Sequence, residues 1–367
     1  MGCITVKNKS LCGTVTAIAS KSVTHRALMC AALSGGKVNN ALTCADTEAT
    51  RRCLKALMQG DIMDAGESAT TLRLLIPLAL HFGGGCFRCG KTLIVRPMDA
   101  YRALGIEIVR TDDMLKVRGK LNAQEYNVDA SVSSQFVSGL LLALPLRDGN
   151  SRITLMGEAT SRPYMLLTLE VMRIFGVNAQ YADGGFNVAG GQSYDGVSFT
   201  VEGDWSYAAN FVVANALGGN VVIEGLDSRS SQGDRAIGEL ISMDKVDMTD
   251  VPDLLPILAV NACGKHGTTL LYNTARLKYK ESARPAVMAN ELNHIGADVE
   301  LMDNALLIRG NGRLIGGEVN SMGDHRVAMA FAIAAAICET PVTISAAECV
   351  GKSAPGFFNT IERLGGI

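Results

Sequence analysis

Five segments place cationic or hydroxylated side chains where a purely structural helix has no use for them. Lys21 and Ser22, with Arg26 just over a turn on, open a helix that is otherwise apolar. A helix start offers free N–H groups and the positive end of the dipole, so cations there are unfavourable unless an anion joins them. Ser133-Ser134-Gln135 opens a second apolar helix, although serine is also an ordinary N-cap. Ser161-Arg162-Pro163-Tyr164 opens a third, with proline in the first turn where it is tolerated. The run from Arg276 to Arg284 crowds basic residues around the single carboxylate Glu281, a pattern that a solvated face also produces. Gly323-Asp324-His325-Arg326 begins a further apolar helix, where His325 reads as a packing or capping residue. Arg73, Arg96 before Pro97, Asp253 after Pro252, and Lys352 complete the set. Brought together, these groups form a site for anionic ligands, since Arg and Lys give charge-assisted hydrogen bonds to phosphate and carboxylate. Neither G-x-x-x-x-G-K-[ST] nor G-x-G-x-x-G occurs, so nucleotide binding by those routes is unsupported.

The elements that must carry these groups are legible from glycine stops. Helical patterns at Val23–Leu33, Ala69–His81, Met165–Phe175, Tyr207–Leu217 and Ala286–Ile295 are each followed by glycine, the residue that accepts a left-handed terminus. The runs Asn220–Ile223, Ala297–Leu301 and Val342–Ser345 read as strands. About twelve helices alternate with strands in about six units of roughly 60 residues, an α/β class. Helices starting near Ser134, Tyr207, Leu254 and Val327 are apolar nearly all round and are expected to be buried.

The chain has 367 residues, 48% hydrophobic and 19% charged, which excludes disorder and predicts about two domains. Lys and Arg number 34 against 36 Asp and Glu, so no basic surplus exists for nucleic-acid binding. The start MGCITVKNKS lacks the apolar core of a secretory leader, and no apolar run reaches the roughly 18 residues of a membrane span. Ten cysteines without a framework fit a cytoplasmic protein. Cys86 and Cys89 in GGGCFRCGK supply only two of zinc's four ligands, and the flanking glycines read as a hairpin tip. With no long exposed apolar stripe, a monomer is expected.

Nine segments, KSVTHR, GESATTLR, RPM, SVSSQFVSGLL, SRPYMLLTLEVM, EGDWSYAANF, VPDLLPILA, KYKESAR and GDHRVAMAFA, followed by Lys352 before an aromatic helix, resemble in order the enolpyruvyl transferases. The SRPY and KES-x-R elements resemble the branch that uses shikimate 3-phosphate rather than a UDP-sugar. The resemblance implies a two-domain inside-out α/β barrel, each domain built from three βαβαββ repeats. It places the N-terminal domain at residues 13–201 and the C-terminal domain at 1–12 and 202–367, joined by two hinge crossovers. It implies transfer of the enolpyruvyl group of phosphoenolpyruvate to the 5-hydroxyl of shikimate 3-phosphate, through a tetrahedral intermediate, without metal or cofactor. Asp253, Glu281 and Lys21 match catalytic positions. Lys21, Ser22, Arg26, Ser133, Ser134, Gln135, Ser161, Tyr164, Asp253 and Lys280 match groups for shikimate 3-phosphate. Lys21, Ala69, Thr70, Arg96, Gln135, Arg284, Arg326 and Lys352 match groups for phosphoenolpyruvate.

Three departures from the pattern carry expectations. Ala69 stands where the family has glycine, and its methyl predicts weak binding of glyphosate, the larger competitor of phosphoenolpyruvate. Glu67 stands where the family has asparagine; it is expected to repel an anionic substrate unless it pairs with Lys352 or Arg96 or turns away. Ala283 replaces an aspartate and removes an acidic partner from the nearby cations. Two other readings follow from these residues, transfer to another acceptor such as a UDP-sugar and a non-catalytic binder of phosphorylated ligands.

Overall fold

A computed structural model describes residues 2–122 and 124–367; residue 1, in the expected C-terminal domain, lies outside them. The chain forms two compact units, one of Ala19–Glu202 and one of the residues up to Ile18 with Gly203–Ile367. The first boundary falls after Ile18 rather than after residue 12. Strand Cys12–Thr16 runs parallel to Asn220–Glu224, and the Ala17 N–H donates to Glu224 O at 2.8 Å, which commits these residues to the second unit.

Within the Ala19–Glu202 unit, Met63–Gly66, Gly85–Cys89, Met114–Arg118 and Glu107–Arg110 form one sheet in that order. Its first pair is parallel and the next two pairs are antiparallel. Glu125–Asp129, Ser151–Met156, Gly185–Val188 and Ala179–Ala182 repeat the arrangement. In the other unit Lys245–Asp247, His266–Tyr272, Ala305–Asn311 and Val299–Met302 repeat it again. Such a sheet needs a helix between its two parallel strands, and Ala69–His81, Gln135–Ala143 and Leu255–Gly264 fill that place. Smaller sheets complete the units: Lys37–Asn39 with Ser198–Thr200, Cys12–Thr16 with Asn220–Glu224, and Ile4–Val6, Val342–Ser345 and Gly317–Asn320 together.

The crossover helices are buried on every side, as their unbroken apolar sequence requires. Residues 71–80 of Ala69–His81, 136–143 of Gln135–Ala143 and 255–263 of Leu255–Gly264 are all buried. His325–Ala334 is the same in the second unit, with only Arg326 not fully enclosed. Strands alternate instead, as in Glu125–Asp129, so one sheet face meets solvent. Helices thus form the inside of each unit and sheets the outside. The Lys21–Ser34 helix stops at Gly35, whose φ of 71° puts it in the left-handed region. That helix begins two residues before the Val23 start read from apolar spacing, which places Lys21 and Ser22 in its first turn.

The glycines around Cys86 and Cys89 do not make a hairpin tip. Gly85–Cys89 is a strand bonded on both sides, because Phe87 and Cys89 supply a buried face. Three positions apart on a strand, the two thiols point to opposite faces, and both are free. Among the described residues no group of three or more His, Cys, Asp or Glu is disposed to hold a metal ion.

Candidate active site

Each unit carries its own polar cluster, built on the starts of its buried helices. In the Ala19–Glu202 unit, Lys21 Nζ lies 3.0 Å from Asp46 Oδ2. Asp46 sits in the first turn of the Ala45–Gln59 helix, where a carboxylate is favoured by the dipole. Arg26 is almost wholly enclosed, and its three guanidinium nitrogens all donate within the unit. Nε bonds Thr168 Oγ1 at 2.7 Å, Nη1 bonds Ser22 O at 2.8 Å, and Nη2 bonds Tyr164 O at 2.9 Å. Burial lowers its pKa to about 10. Arg26 therefore ties the Lys21–Ser34 helix to Arg162–Ile174, holding Ser22 and Tyr164 in place, rather than offering a free cation to a ligand.

Gln135 joins the Gln135–Ala143 helix to Ala69–His81. Its Nε2 donates to Thr70 Oγ1 at 2.8 Å, and its Oε1 accepts from Arg73 Nη1 at 3.1 Å. Close approach of these helices depends on Gly139, because a Cβ there would sit 2.7 Å from Arg73 O and 2.6 Å from Tyr101 Oη. Ser133 Oγ accepts from the Gln135 N–H at 3.3 Å, and Ser134 is buried beside it. Ser161 precedes its helix with a φ of 57°, an uncommon conformation for a non-glycine residue and one that recurs at functional sites. Arg96 is buried, and among the described residues its Nη2 has no hydrogen-bond partner.

A chain of buried hydroxyls that sequence did not reveal links three helix starts. His25 Nδ1 meets Thr50 Oγ1 at 2.7 Å, Thr50 meets Thr71 Oγ1 at 2.7 Å, and Thr71 donates to Ser68 Oγ at 2.8 Å. Ser68 caps the helix that begins with Ala69 and Thr70. Burial, with Lys21 and Arg26 nearby, holds the His25 pKa well below 6.5, so the ring is neutral and structural.

Glu67 turns to the short helix after it within its own unit. It accepts from the N–H groups of Thr92 and Leu93 at 3.3 and 3.0 Å and from Thr92 Oγ1 at 2.5 Å. The carboxylate thus caps the short Lys91–Ile94 helix.

In the other unit, Asp253 lies in the Pro252–Leu254 turn and both its oxygens are engaged. Oδ1 is 3.0 Å from Arg284 Nη1 and 3.6 Å from Lys280 Nζ, and Oδ2 is 2.9 Å from Arg326 Nη2. Burial alone raises this carboxyl, but Arg326, Lys280 and Arg284 outweigh it and hold it well below the usual range. Glu281 lies 3.0 Å from Arg284 Nη2 through one oxygen and 3.6 Å from Lys352 Nζ through the other. Arg284 also contacts Asp324, from Nε to Oδ2 at 2.9 Å and from Nη2 to Oδ1 at 3.4 Å. Three carboxylates around one buried guanidinium raise its pKa despite the cost of burial. Ala283 is exposed at the start of the Arg284–His294 helix, so its missing carboxylate leaves Arg284 with acidic partners. Asp46, which holds Lys21, gave no sign in spacing, and Asp324, which holds Arg284, stood in the Gly323-Asp324-His325-Arg326 segment without a role assigned to it.

Within the unit that holds Asp253, cations surround two carboxylates in distinct surroundings, an arrangement suited to moving a proton on and off adjacent atoms. The sequence profile described as EPSP synthase (3-phosphoshikimate 1-carboxyvinyltransferase) matches residues 6–62, 58–244 and 236–361. The chain is 36% identical to the 3-phosphoshikimate 1-carboxyvinyltransferase of Brachyspira hyodysenteriae over 415 aligned residues, covering 99% of this chain and 98% of the relative. It is also 36% identical to that of Clostridium kluyveri, covering 99% and 97%. The solved EPSP synthase of Acinetobacter baumannii matches with a TM-score of 0.80 at 24% identity, over 99% of this chain and 98% of that one, a likeness of fold.

Proposed function

The chain belongs to the EPSP synthase family, the 3-phosphoshikimate 1-carboxyvinyltransferases, and on that premise we propose how its own residues divide the work of the reaction. The enzyme transfers the enolpyruvyl group of phosphoenolpyruvate to the 5-hydroxyl of shikimate 3-phosphate and releases phosphate, a step of aromatic amino-acid biosynthesis. Ser133, Ser134 and Ser161 with Lys21 take the phosphate of shikimate 3-phosphate. Ser22, Gln135 and Tyr164 orient its ring, with Arg26 holding Ser22 and Tyr164, and Lys280 stands beside the reacting groups. Arg96, Arg284, Arg326 and Lys352 surround phosphoenolpyruvate, with Ala69 and Thr70 against it. Charge-assisted bonds from this cluster offset the repulsion between two anionic substrates.

Asp253 receives the proton of the 5-hydroxyl as its oxygen attacks C2 of phosphoenolpyruvate, and Glu281 supplies a proton to the methylene carbon. Glu281 then takes a proton back as the C2–O bond to phosphate breaks and the double bond returns, and the proton held by Asp253 leaves with the phosphate. The observation that carries this assignment is Arg284, which bonds Asp253 and Glu281 at 3.0 Å each. One guanidinium thereby fixes the spacing of the two carboxylates. The turn of Glu67 onto the Lys91–Ile94 helix, where its charge meets N–H donors, supports catalysis over a non-catalytic binder. A cytoplasmic monomer needing no cofactor, metal, membrane or nucleic acid fits a net charge of −2 and a reaction between two small anions.

Incubation with phosphoenolpyruvate and shikimate 3-phosphate, followed by product mass and phosphate release, tests the assignment. Asp253→Ala and Glu281→Ala each reduce turnover by about 10²–10⁴-fold with the substrates still bound. No product from the unsubstituted enzyme overturns the reaction; product from either variant at the unsubstituted rate overturns that residue's role.

A further inference from the structure

Asp234 lies in the short Gly233–Ala236 turn and is 2% exposed. No role in the reaction as assigned above falls to it. Its Oδ2 accepts from Ser206 Oγ, from the Trp205–Ala216 helix, and its Oδ1 is buried with no hydrogen-bond partner among the described residues. The charged groups facing it are Asp253 from the Pro252–Leu254 turn, Arg326 from the His325–Ala334 helix and Asp204 at the head of the Trp205–Ala216 helix. Asp253 is already held ionised by Arg326, Lys280 and Arg284. Arg326 spends a nitrogen on Asp253 at 2.9 Å, and Asp204 spends an oxygen on the Tyr207 N–H at 2.9 Å. A buried carboxylate with an orphan oxygen, near two other carboxylates, is far costlier than a neutral acid, even with Ser206 Oγ donating to Oδ2.

We propose that Asp234 is a proton-carrying positioning residue, neutral when the site accepts phosphoenolpyruvate, whose loss of that proton to solvent adds a negative charge beside Asp253 and Arg326 and weakens anion binding. Burial, together with Asp253, pushes this carboxyl up to about 7, against the smaller opposing pulls of Arg326 and Ser206. The proton therefore leaves within the working pH range, and substrate affinity and Asp234 protonation are linked reciprocally. The proposal rests on the reading of the site given above, and it is tested in part without substrate.

The experiment compares the unsubstituted enzyme with Asp234→Asn, a neutral isostere that keeps the Ser206 contact. In the unsubstituted enzyme KM for phosphoenolpyruvate rises by about tenfold from pH 6 to pH 8.5 with a smaller change in kcat, equivalent to a one-unit shift of the Asp234 pKa on binding. In Asp234→Asn that rise is lost; ionisation of the substrate itself is common to both proteins. Without substrate, a raised folded pKa means that ionisation of the unfolded chain draws stability away as pH climbs from about 4 to about 7. The melting-temperature advantage of Asp234→Asn therefore grows over that window and then levels off. Difference infrared spectra of the unsubstituted enzyme show a protonated carboxyl band at pH 6 that titrates away near pH 7. Absence of that band, a pH-independent melting difference, or an unchanged KM profile in the variant each overturns the proposal. Absence of product with the band present overturns the reaction and leaves the proton assignment standing.

Discussion

Arg284 and Asp324 face each other with two contacts, at 2.9 and 3.4 Å, and neither is more than 1% exposed in its side chain. Asp324 also accepts from Ser282 Oγ at 3.1 Å and from the Arg326 N–H at 3.0 Å. One carboxylate thus holds the Arg284 guanidinium and caps the helix start that carries Arg326. Asp324→Ala leaves Arg284 less compensated and removes the cap of the His325–Ala334 helix, at a cost on the order of 3–5 kcal/mol. A urea midpoint that does not move refutes this reading. Asp324→Asn keeps an oxygen for the cap, so its midpoint falls between the two while kcat/KM for phosphoenolpyruvate still drops.

Glu67 is a capping residue in this structure. Glu67→Ala is expected to cost about 1 kcal/mol through the Lys91–Ile94 helix start, with KM for phosphoenolpyruvate unchanged. Thermal unfolding and steady-state kinetics on one preparation separate the two effects. A lower KM in Glu67→Gln places the carboxylate beside the substrate after all.

Ala69 is the first residue of its helix and is buried at 8% exposure. Its methyl group occupies space next to Thr70, which Gln135 fixes at 2.8 Å. Ala69→Gly is expected to strengthen competitive inhibition by glyphosate by about tenfold or more, since one misfitting methyl in a packed site is worth ~1–3 kcal/mol. Equal inhibition of both proteins assigns the discrimination to another residue.

Much of the fold was legible because its punctuation is local. Ala69–His81 and Val342–Ser345 have the bounds that apolar spacing and glycine stops predict. The buried helices announced themselves by lacking a polar face. The segments Lys21–Arg26, Ser133–Gln135 and Arg276–Arg284 stood out because cations and hydroxyls interrupt apolar or helix-start patterns. What stayed hidden depends on partners distant in sequence. The first crossover after Ile18 follows from Cys12–Thr16 finding Asn220–Glu224. Asp46, Asp234 and Asp324 gain meaning only from the residue each one meets. Arg26 drew notice for its charge, yet Thr168 and the Tyr164 carbonyl, which use that charge, lie on another helix.

Strand Ile4–Val6 is bonded to Val342–Ser345, and Cys12–Thr16 to Asn220–Glu224, whereas Ala19–Glu202 is one uninterrupted stretch. On the ribosome these two parts of the chain meet different fates. The uninterrupted unit has all its strands once Thr200 has emerged, and it folds while synthesis continues. Ile4–Val6 waits until Val342–Ser345 is made, exposed as an open edge for other nascent chains to pair with, whereas Cys12–Thr16 has its partner once Asn220–Glu224 has emerged. Lys7 and Lys9, both exposed beside these strands, supply the like charge that keeps such edges apart during the delay.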